Sequence, residues 1–377
     1  MDRIERVEAM VVAHRLARPF HFSQWRYAER SACLVRVETR DGVVGWGEGY
    51  GPAGVVRAGV EFLAPLVVGE DPLAGETVWQ RMFLRSLDYA RRGVLVAAIS
   101  AIDVALWDVR GKLLGQPVSV LLGGRRRESV RAYATGLYFC QGADQAGALA
   151  EEARRYVAEG FSAIKMKVGQ SMADDIANVG AVREAIGGAV DLMVDANHAY
   201  NLREAVGLAR GIEAFRIGWF EATLSPEDHD GYRELRERTG IPIAAGECEY
   251  LRAGFLQLLR GRCVDIAQPD LCAAGGLTEV KKIGAMAEAF GVEVMPHSWG
   301  TGIAVAAALH LLSNMDVAPG RMRAAEPMLE LDRTENPLRD ELVVPGYAVE
   351  GGRVTVPSLP GLGVGVDEAL LARYRVP

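Results

Sequence analysis

The chain of 377 residues exceeds what one compact core usually holds, so we expect a large domain with a smaller one beside it. It carries 42 Lys and Arg against 49 Asp and Glu, without a long block of one sign, which excludes nucleic acid as an expected partner. No apolar run reaches the roughly 18 to 20 residues that span a bilayer, and the acidic start lacks the hydrophobic stretch of a signal peptide. We therefore expect a soluble cytoplasmic protein without membrane contact.

Five cysteines without CxxC spacing argue against a disulfide framework and a structural zinc site.

The first predicted elements belong to an α+β unit over residues 1–127. Apolar and polar residues alternate over 31–49, and the pattern breaks at Asp41-Gly42, a pair that favours the tight turn of a β-hairpin. Residues 93–117 have helical periodicity and end in a Gly and Pro stop signal. The glycine- and arginine-rich stretch that follows is typical of a domain boundary.

A second domain is predicted over residues 128–330, where amphipathic helices alternate strictly with short apolar strands. This alternation predicts parallel βαβ units, and seven in a row favour a barrel over an open sheet. The turn-rich segment 331–377 is expected to pack back on the first domain. The predicted strands are 161–168, 190–197, 217–222, 241–247, 264–270, 292–298 and 321–327.

Each predicted strand carries a polar residue at or near its carboxyl end, and these residues recur every 23 to 29 positions. In a parallel barrel those ends meet at one mouth, so side chains distant in sequence converge. Lys165 lies two residues before the first of them and shares its face of the strand. The strand-end residues are Lys167, Asp195, Glu221, Glu247, Asp270, His297 and Glu326.

Three successive strands end in the carboxylates Asp195, Glu221 and Glu247. Clustered anions repel each other, and without compensation at least one of them would take up a proton. A divalent cation removes the conflict, and oxygen ligands without His or Cys suit Mg²⁺. Each carboxylate taken alone is also compatible with a helix cap or a loop anchor.

Lys165 and Lys167 are candidate bases, since a bound cation and a neighbouring lysine would each depress the pKa of an ammonium group. His297 is a second candidate, with Asp270 positioned to orient its ring. These residue types suit removal of a proton next to a carboxylate, with the enediolate stabilised by the cation, by Lys165 and by a protonated Glu326. Structural ion pairs remain the alternative for each residue.

These residues lie in motifs that resemble the mandelate racemase subgroup of the enolase superfamily. The similar motifs are "KMKVG", "DAN", "GE", "QPD" and "PHSWGTG", and the likeness covers nearly the whole chain. The resemblance implies a (β/α)₇β modified TIM barrel with an α+β capping domain. It also implies one Mg²⁺ per subunit on Asp195, Glu221 and Glu247, and catalysis by Lys167 and by a His297–Asp270 pair.

Further phrases, such as "RESVRAYATG" and "EPMLELDRTENPLRDEL", are similar to the galactarolactone cycloisomerase and acid-sugar dehydratase families. The expected activity is Mg²⁺-dependent removal of the proton α to a carboxylate of an aldarate or aldarolactone, followed by β-elimination to a 2-keto-3-deoxy acid. Two alternatives stay open, a racemase or epimerase with two bases and a metal-binding barrel without turnover. A homo-oligomer is expected.

One departure from the family is Ala222, where these proteins usually have an acid after the metal ligand. The polar and aromatic segment 21–30 lies where the family has a loop over the barrel mouth, and its alternative is an ordinary surface loop. The predicted contacts of the small carboxylate substrate are Asn197, Trp25, Arg26, Tyr50 and Tyr138.

Overall fold

The computed structural model describes residues 2–23, 25–139, 144–315 and 326–377. These residues form an α/β fold in which an N-terminal α+β unit covers one end of a parallel sheet flanked by helices. None of the described helices is both long and apolar enough to cross a bilayer.

The N-terminal unit is an antiparallel meander of three strands with helices packed on it. The turn predicted at Asp41-Gly42 joins the second strand to the third, and Gly42 has a φ of +83°, which favours glycine. The helix predicted over 93–117 spans Val94–Leu113. The elements are β1 (Ile4–Phe22), β2 (Trp25–Thr39), β3 (Val44–Gly49), α1 (Ala53–Leu63), α2 (Gly75–Ser86), α3 (Val94–Leu113) and α4 (Val118–Leu121), with a 3₁₀ turn at Ala64–Leu66.

In the second unit the described residues form eight parallel strands that alternate with helices. Its first strand, Ser129–Thr135, falls in the stretch interpreted from sequence as a domain boundary, so the pattern of seven strands missed it. The elements are β4 (Ser129–Thr135), α5 (Gln145–Ala158), β5 (Ala163–Lys167), α6 (Met172–Ile186), β6 (Asp191–Asp195), α7 (Leu202–Ile212), β7 (Ile217–Glu221), α8 (His229–Arg238), β8 (Ile243–Ala245), α9 (Leu251–Arg260), β9 (Ile266–Ala267), α10 (Gly276–Phe290), β10 (Glu293–Val294), α11 (Gly302–Asn314) and β11 (Met328–Asp332), with a 3₁₀ turn at Glu213–Phe215.

The parallel strands pair in an unbroken order from β11 through β4 and β5 to β10. Among the described residues no hydrogen-bond ladder joins β10 to β11. The residues at these two edge strands are nevertheless in contact. Met328 N lies 3.2 Å from Met295 Sδ, and Ser298 N donates to Glu330 Oε2 at 3.0 Å. The two edge strands of the sheet therefore lie close to each other, as the predicted barrel requires.

The inner face of this sheet is layered. A buried apolar cluster includes Tyr133, Met193, Trp219 and Met328, each from a different strand. Side chains two residues further along a strand point to the same face. The residues two positions after this apolar layer form the next layer towards the mouth. They are polar: Thr135, Asp195, Glu221 and Glu330, with Lys165 from β5.

The C-terminal segment contacts both units. Its last strand pairs antiparallel with β1, and another strand pairs antiparallel with the start of β4. The domain limits 1–127, 128–330 and 331–377 stay predictions. The elements are α12 (Pro337–Asp340), β12 (Val343–Val344), β13 (Val349–Glu350), β14 (Arg353–Thr355), β15 (Gly365–Val366), α13 (Glu368–Tyr374) and β16 (Arg375–Val376).

Buried polar contacts hold the N-terminal unit on the barrel. Glu48 in β3 accepts hydrogen bonds from the backbone and hydroxyl of Thr301 and from Ala304 N, at the amino end of α11. Trp79 Nε1 in α2 donates to the Gly275 carbonyl at 2.8 Å. These contacts position the hairpin of β1 and β2 over the carboxyl ends of the barrel strands, where its tip contacts Lys167.

Candidate active site

The two lysines of β5 project side by side into the barrel mouth, as the strand period predicts. Lys165 contacts Glu221, and its Nζ lies 2.7 Å from Glu330 Oε1 and 3.6 Å from Asp195 Oδ2. Lys167 Nζ lies 2.6 Å from Asp195 Oδ2. Both lysines are buried, so each ammonium group depends on these carboxylates for compensation.

The carboxylates of Asp195, Glu221 and Glu247 converge at the ends of three neighbouring strands. One oxygen from each lies within 4.8 Å of the other two. Glu221 Oε2 accepts hydrogen bonds from Trp219 Nε1 at 2.8 Å and from Gln268 Nε2 at 2.7 Å, which orient its side chain. The three residues could hold one cation in a set of oxygen ligands.

The charge around this cluster fits a divalent cation. Five carboxylates, those of Asp195, Glu221, Glu247, Asp270 and Glu330, share the mouth with two lysines and one histidine. With all five carboxylates ionised and all three basic groups protonated, two negative charges remain among these described residues, and burial raises the pKa of Glu221 to about 7 against the lowering effect of Lys165. Because an unpaired buried charge costs several kcal/mol, a cation of charge +2 completes the balance.

Asn197 supplies an independent sign that the cluster takes a ligand. Its backbone N–H donates to Asp195 Oδ1 at 2.9 Å, and its Nδ2 lies 3.5 Å from Glu247 Oε1. Its Oδ1 is buried and has no hydrogen-bond partner among the described residues. A buried carbonyl oxygen beside three carboxylates is therefore available to a ligand or to its hydration shell.

The surroundings of Lys165 keep it charged. Burial disfavours its ammonium form, yet Glu221 and Glu330 hold the pKa of Lys165 well above its usual value. Burial also disfavours the charged form of Asp195, but Lys167 and Lys165 outweigh this effect and lower the pKa of Asp195 to about 2. The three carboxylates around Lys165 outweigh the lowering that the neighbouring Lys167 was predicted to cause, and the effect of a bound cation on the pKa of these lysines stays a prediction.

His297 and Asp270 form the predicted pair. Their Nδ1 and Oδ2 atoms lie 2.6 Å apart, and Cys272 N donates to the other oxygen of Asp270 at 2.6 Å. The opposite ring nitrogen of His297 lies 3.8 Å from Glu247 Oε2. Burial lowers the pKa of His297, but Glu330, Asp270 and Glu247 outweigh it and raise the pKa to about 10. The histidine thus faces the carboxylate cluster with a protonated ring at neutral pH.

Glu326 does not lie at the mouth, and residues 326 and 327, the described part of the predicted strand 321–327, are not in a strand. Residues 326 and 327 precede the strand Met328–Asp332, and 321–325 lie outside the described residues. Glu326 is at the amino end of β11, where Arg353 lies 2.5 Å from its Oε1 and lowers its pKa. The structure thus contradicts a catalytic role for Glu326 as a protonated donor at the mouth.

Glu330 occupies the position that sequence reasoning gave to Glu326. It accepts hydrogen bonds from Thr135 Oγ1 at 2.8 Å and Ser298 N at 3.0 Å, in addition to its contact with Lys165. Although burial raises its pKa, Lys165 and His297 lower it to about 2, so Glu330 is an anion. A charged residue inside the apolar run "MLEL" was the signal for an inward-facing position.

The predicted substrate contacts fall into two groups. Tyr50 lies edge-on to His297 with ring centroids 5.3 Å apart, and Tyr138 accepts a hydrogen bond from Trp299 Nε1 at 3.0 Å. Trp25 and Arg26 are exposed at the tip of the hairpin. The pairing of His21 with Arg26 puts Arg26 on the hairpin face opposite to the aromatic side chains over the mouth.

An aromatic group lies over Lys167, and sequence reasoning named Tyr138 among its members but not Phe22, Tyr27 or Trp299. Phe22 and Tyr138 lie 5.0 and 5.3 Å from Lys167 Nζ, measured to their ring centroids. Tyr27 stacks on Phe22, and Trp299 contacts Tyr27 edge-on. Pairing of β1 with β2 puts the rings of Phe22 and Tyr27 on the same face of the hairpin. The alternation of residues 20–27 could have indicated this shared face.

Two family matches cover the two units. Residues 6–123 match the N-terminal domain of the mandelate racemase / muconate lactonizing enzyme family, and residues 148–370 match the Enolase C-terminal domain-like family. Together these two matches include most of the chain.

Curated relatives and a solved structure extend the similarity over the full length. The chain is 42% identical over 375 residues to a D-galactarolactone cycloisomerase of Agrobacterium fabrum, covering 100% of this chain and 99% of the relative. It is 37% identical over 345 residues to an arabinonate dehydratase of Saccharolobus solfataricus, covering 90% of each chain. The crystal structure of the 3,6-anhydro-D-galactonate cycloisomerase from Zobellia galactanivorans aligns with a TM-score of 0.91 at 49% identity and covers 100% of both chains.

Proposed function

Because the chain belongs to the mandelate racemase and muconate lactonizing enzyme family of the enolase superfamily, we propose that it removes the proton α to the carboxylate of an acid sugar and then expels a β-oxygen. A β-hydroxyl as the leaving group makes the reaction a dehydration, and a β-oxygen within a ring makes it a cycloisomerisation. The product in either case is a 2-keto-3-deoxy acid. The observation that carries this proposal is the placement of Lys167 and His297 on two sides of one carboxylate cluster.

The proposed cofactor is one Mg²⁺ per subunit, held by Asp195, Glu221 and Glu247. The all-oxygen donor set and the excess of carboxylates over basic groups among the described residues of the mouth support this choice. When bound, the ion would neutralise charge on the substrate carboxylate and so acidify the adjacent C–H bond. The orphaned Asn197 Oδ1 then has a polar partner within the same site.

Lys167 is the proposed base. Its Nζ is held by Asp195 Oδ2 from one side and covered by the rings of Phe22 and Tyr138 from the other. These contacts keep Nζ at the mouth, beside the carboxylate cluster, where its amine form can accept the proton from the α-carbon of a bound substrate. Lys165 stays charged between Glu221 and Glu330 and donates hydrogen bonds to the enediolate oxygens.

His297 is the proposed acid for the second half of the reaction. Asp270 fixes one ring nitrogen, so the other nitrogen points to the mouth from the side opposite Lys167. An imidazolium with a raised pKa holds its proton at neutral pH and can give it to the leaving oxygen or to the product enol. Glu330 stays ionised and orients Lys165. The sequence had predicted a protonated carboxyl donor in this place.

Racemisation or epimerisation is the second candidate, because the same two groups could serve as bases on opposite faces of the α-carbon. In that case His297 would return a proton to carbon and no oxygen would leave. The small carboxylate substrate is common to both reactions. Assembly into a homo-oligomer and a cytoplasmic location stay predictions.

The test is incubation of the Mg²⁺-loaded protein in D₂O with a panel of aldonates, aldarates, aldarolactones and anhydroaldonates, followed by proton NMR. We expect a 2-keto-3-deoxy product that carries deuterium at C3. Deuterium in recovered substrate or in its epimer, without that product, would overturn elimination in favour of racemisation. A panel without product or exchange would contradict both and favour a barrel that binds metal without turnover.

A further inference from the structure

A second cluster of metal-binding side chains lies at the edge of the carboxylate site. Cys248 Sγ lies 3.4 Å from His198 Nε2, and the same nitrogen lies 4.0 Å from Glu247 Oε1. One ligand atom from each of these residues lies within 4.8 Å of the other two. Cys248 is exposed, and the other two are partly exposed, so an ion can reach the cluster from solvent.

The ring of His198 is fixed in the orientation that metal binding requires. Its Nδ1 lies 2.7 Å from the Leu224 carbonyl oxygen, which can only accept, so Nδ1 carries the proton and donates it. Nε2 therefore presents its lone pair to Cys248 and Glu247. The backbone N–H of His198 also donates to the Ala222 carbonyl at 2.6 Å, which anchors the loop. A histidine whose far nitrogen bonds a carbonyl is typical of metal ligands.

We propose that His198, Cys248 and Glu247 form a second cation site, specific for a thiophilic divalent ion such as Zn²⁺. A tetrahedral zinc with thiolate, imidazole and carboxylate ligands puts neighbouring ligand atoms roughly 3.4 to 3.6 Å apart. The sulfur–nitrogen distance of 3.4 Å already matches, and the nitrogen–oxygen distance of 4.0 Å needs a small side-chain rotation. A water molecule completes the tetrahedron.

The donor set separates this site from the adjacent one. Sulfur and nitrogen ligands favour zinc, cobalt and cadmium over magnesium, whereas the oxygens of Asp195, Glu221 and Glu247 favour magnesium. Binding breaks the S–H bond of Cys248, forms a metal–thiolate bond and releases one proton to solvent. No electron transfer is involved, so the exchange needs only the ion and water.

Glu247 belongs to both sites, and this sharing has a functional consequence that rests on the proposed function. An ion on His198 and Cys248 draws Glu247 Oε1 away from the carboxylate cluster and weakens the Mg²⁺ ligand set. We therefore expect thiophilic ions to lower turnover at Mg²⁺ concentrations that otherwise support it.

The site is tested by adding Co²⁺ to the Mg²⁺-loaded protein and recording the near-ultraviolet thiolate-to-cobalt band. The natural chain should give a band that saturates at one Co²⁺ per chain, and Cys248→Ser should give none. Cys263→Ser is the matched control and should keep the band, because this buried thiol lies elsewhere, 3.3 Å from the His229 carbonyl. A missing band in the natural chain, or one that survives in Cys248→Ser, would overturn the proposal.

The histidine ligand is tested with His198→Asn. The Asn side-chain nitrogen can replace Nδ1 as the donor to Leu224, and Asn tolerates the left-handed backbone at this position, where φ is +66°. The variant lacks a nitrogen at the Nε2 position, so the Co²⁺ affinity should fall at least about tenfold. An unchanged affinity would show that His198 is not a ligand.

An activity measurement then tests the shared carboxylate. Zn²⁺ should inhibit the Mg²⁺-dependent reaction of the natural chain, and Cys248→Ser should keep its turnover at the same Zn²⁺ concentration. Equal inhibition of both proteins would contradict coupling through Glu247. The cobalt band needs no turnover, so failure of the cation site and failure of the proposed function give different results.

Discussion

Lys165 and Lys167 are neighbours on one face of β5, yet their surroundings differ. Lys165 is surrounded by the carboxylates of Glu221, Glu330 and Asp195, whereas Lys167 has one carboxylate and a cover of aromatic rings. The first environment stabilises positive charge, and the second leaves the amine close to any bound substrate. At the scale of single residues, these different surroundings are the basis of the two proposed roles, hydrogen-bond donor for Lys165 and base for Lys167.

Exchange of the α-proton should separate the two proton carriers. With the accepted substrate in D₂O, His297→Asn should keep exchange of the α-proton with solvent but lose product, because Lys167 still starts the reaction. Lys167→Ala should lose both, each with a fall of about 100-fold or more. Proton NMR measures both rates. Exchange that survives in Lys167→Ala and disappears in His297→Asn would mean that the histidine is the base.

Removal of one carboxylate from the cluster should abolish cation binding. Glu247→Gln keeps the shape of the side chain but removes its charge, so Mg²⁺ affinity measured by calorimetry should fall at least about 100-fold, and turnover with it. Glu326→Gln is the control, because that carboxylate lies at the amino end of the barrel beside Arg353. Full activity of the natural chain in EDTA would contradict the role of the metal.

At the scale of elements, the hairpin of β1 and β2 determines how the mouth is covered. Phe20 pairs with Tyr27 and Phe22 pairs with Trp25, so their rings share the hairpin face that meets Trp299 and Lys167. Loops carried by a rigid scaffold commonly determine substrate choice. The hairpin is therefore the element in which we expect specificity to lie, while the strand ends provide the reaction.

This arrangement predicts different effects from the two hairpin faces. Phe22→Ala removes a ring over Lys167, so it should change the relative kcat/KM values across the acid-sugar panel by about tenfold. Arg26→Ala, on the opposite face, should leave the ranking as it is in the natural chain. The sequence alone proposed Arg26 as a contact. A changed ranking in Arg26→Ala with none in Phe22→Ala would restore that earlier interpretation.

At the scale of the whole molecule, Glu48 ties the N-terminal unit to the barrel. Its carboxylate is buried and accepts hydrogen bonds from the first turn of α11 through Thr301 and Ala304. Burial raises the pKa of Glu48 from 4.5 to about 7, against the lowering effect of those hydrogen bonds. The folded protein therefore holds a proton here that the unfolded chain releases at lower pH.

The stability of the molecule should depend on pH through this residue. A raised folded pKa gives a contribution that is complete below about pH 4.5 and is lost as pH rises to about 7. Relative to Glu48→Gln, which cannot ionise, the free energy of unfolding of the natural chain should fall by on the order of 3 kcal/mol across this window. Chemical denaturation at several pH values measures it. A constant difference between the two proteins would contradict the assignment.

Much of this protein follows from its sequence, because strand and helix periods are local properties. The period of two in "KMK" put both lysines on one face, and strict alternation predicted a parallel barrel whose strand ends converge. That reasoning brought Asp195, Glu221 and Glu247 together across 52 residues of chain. The pairing of His297 with Asp270, expected from adjacent strands, was confirmed at 2.6 Å.

Other features depended on register and on contacts between distant segments. A strand placed a few residues too early assigned Glu326 to the mouth, whereas the layer that begins at Met328 puts Glu330 there. The carboxylates that raise the pKa of Lys165 come from three other strands, so residues near it in the sequence did not reveal them. Tertiary packing also determines which side of the hairpin faces Lys167 and how closely His198 approaches Cys248. Sequence patterns determine which face of an element is polar, but only packing determines which charges meet across space, and these distances fix the chemistry of the site.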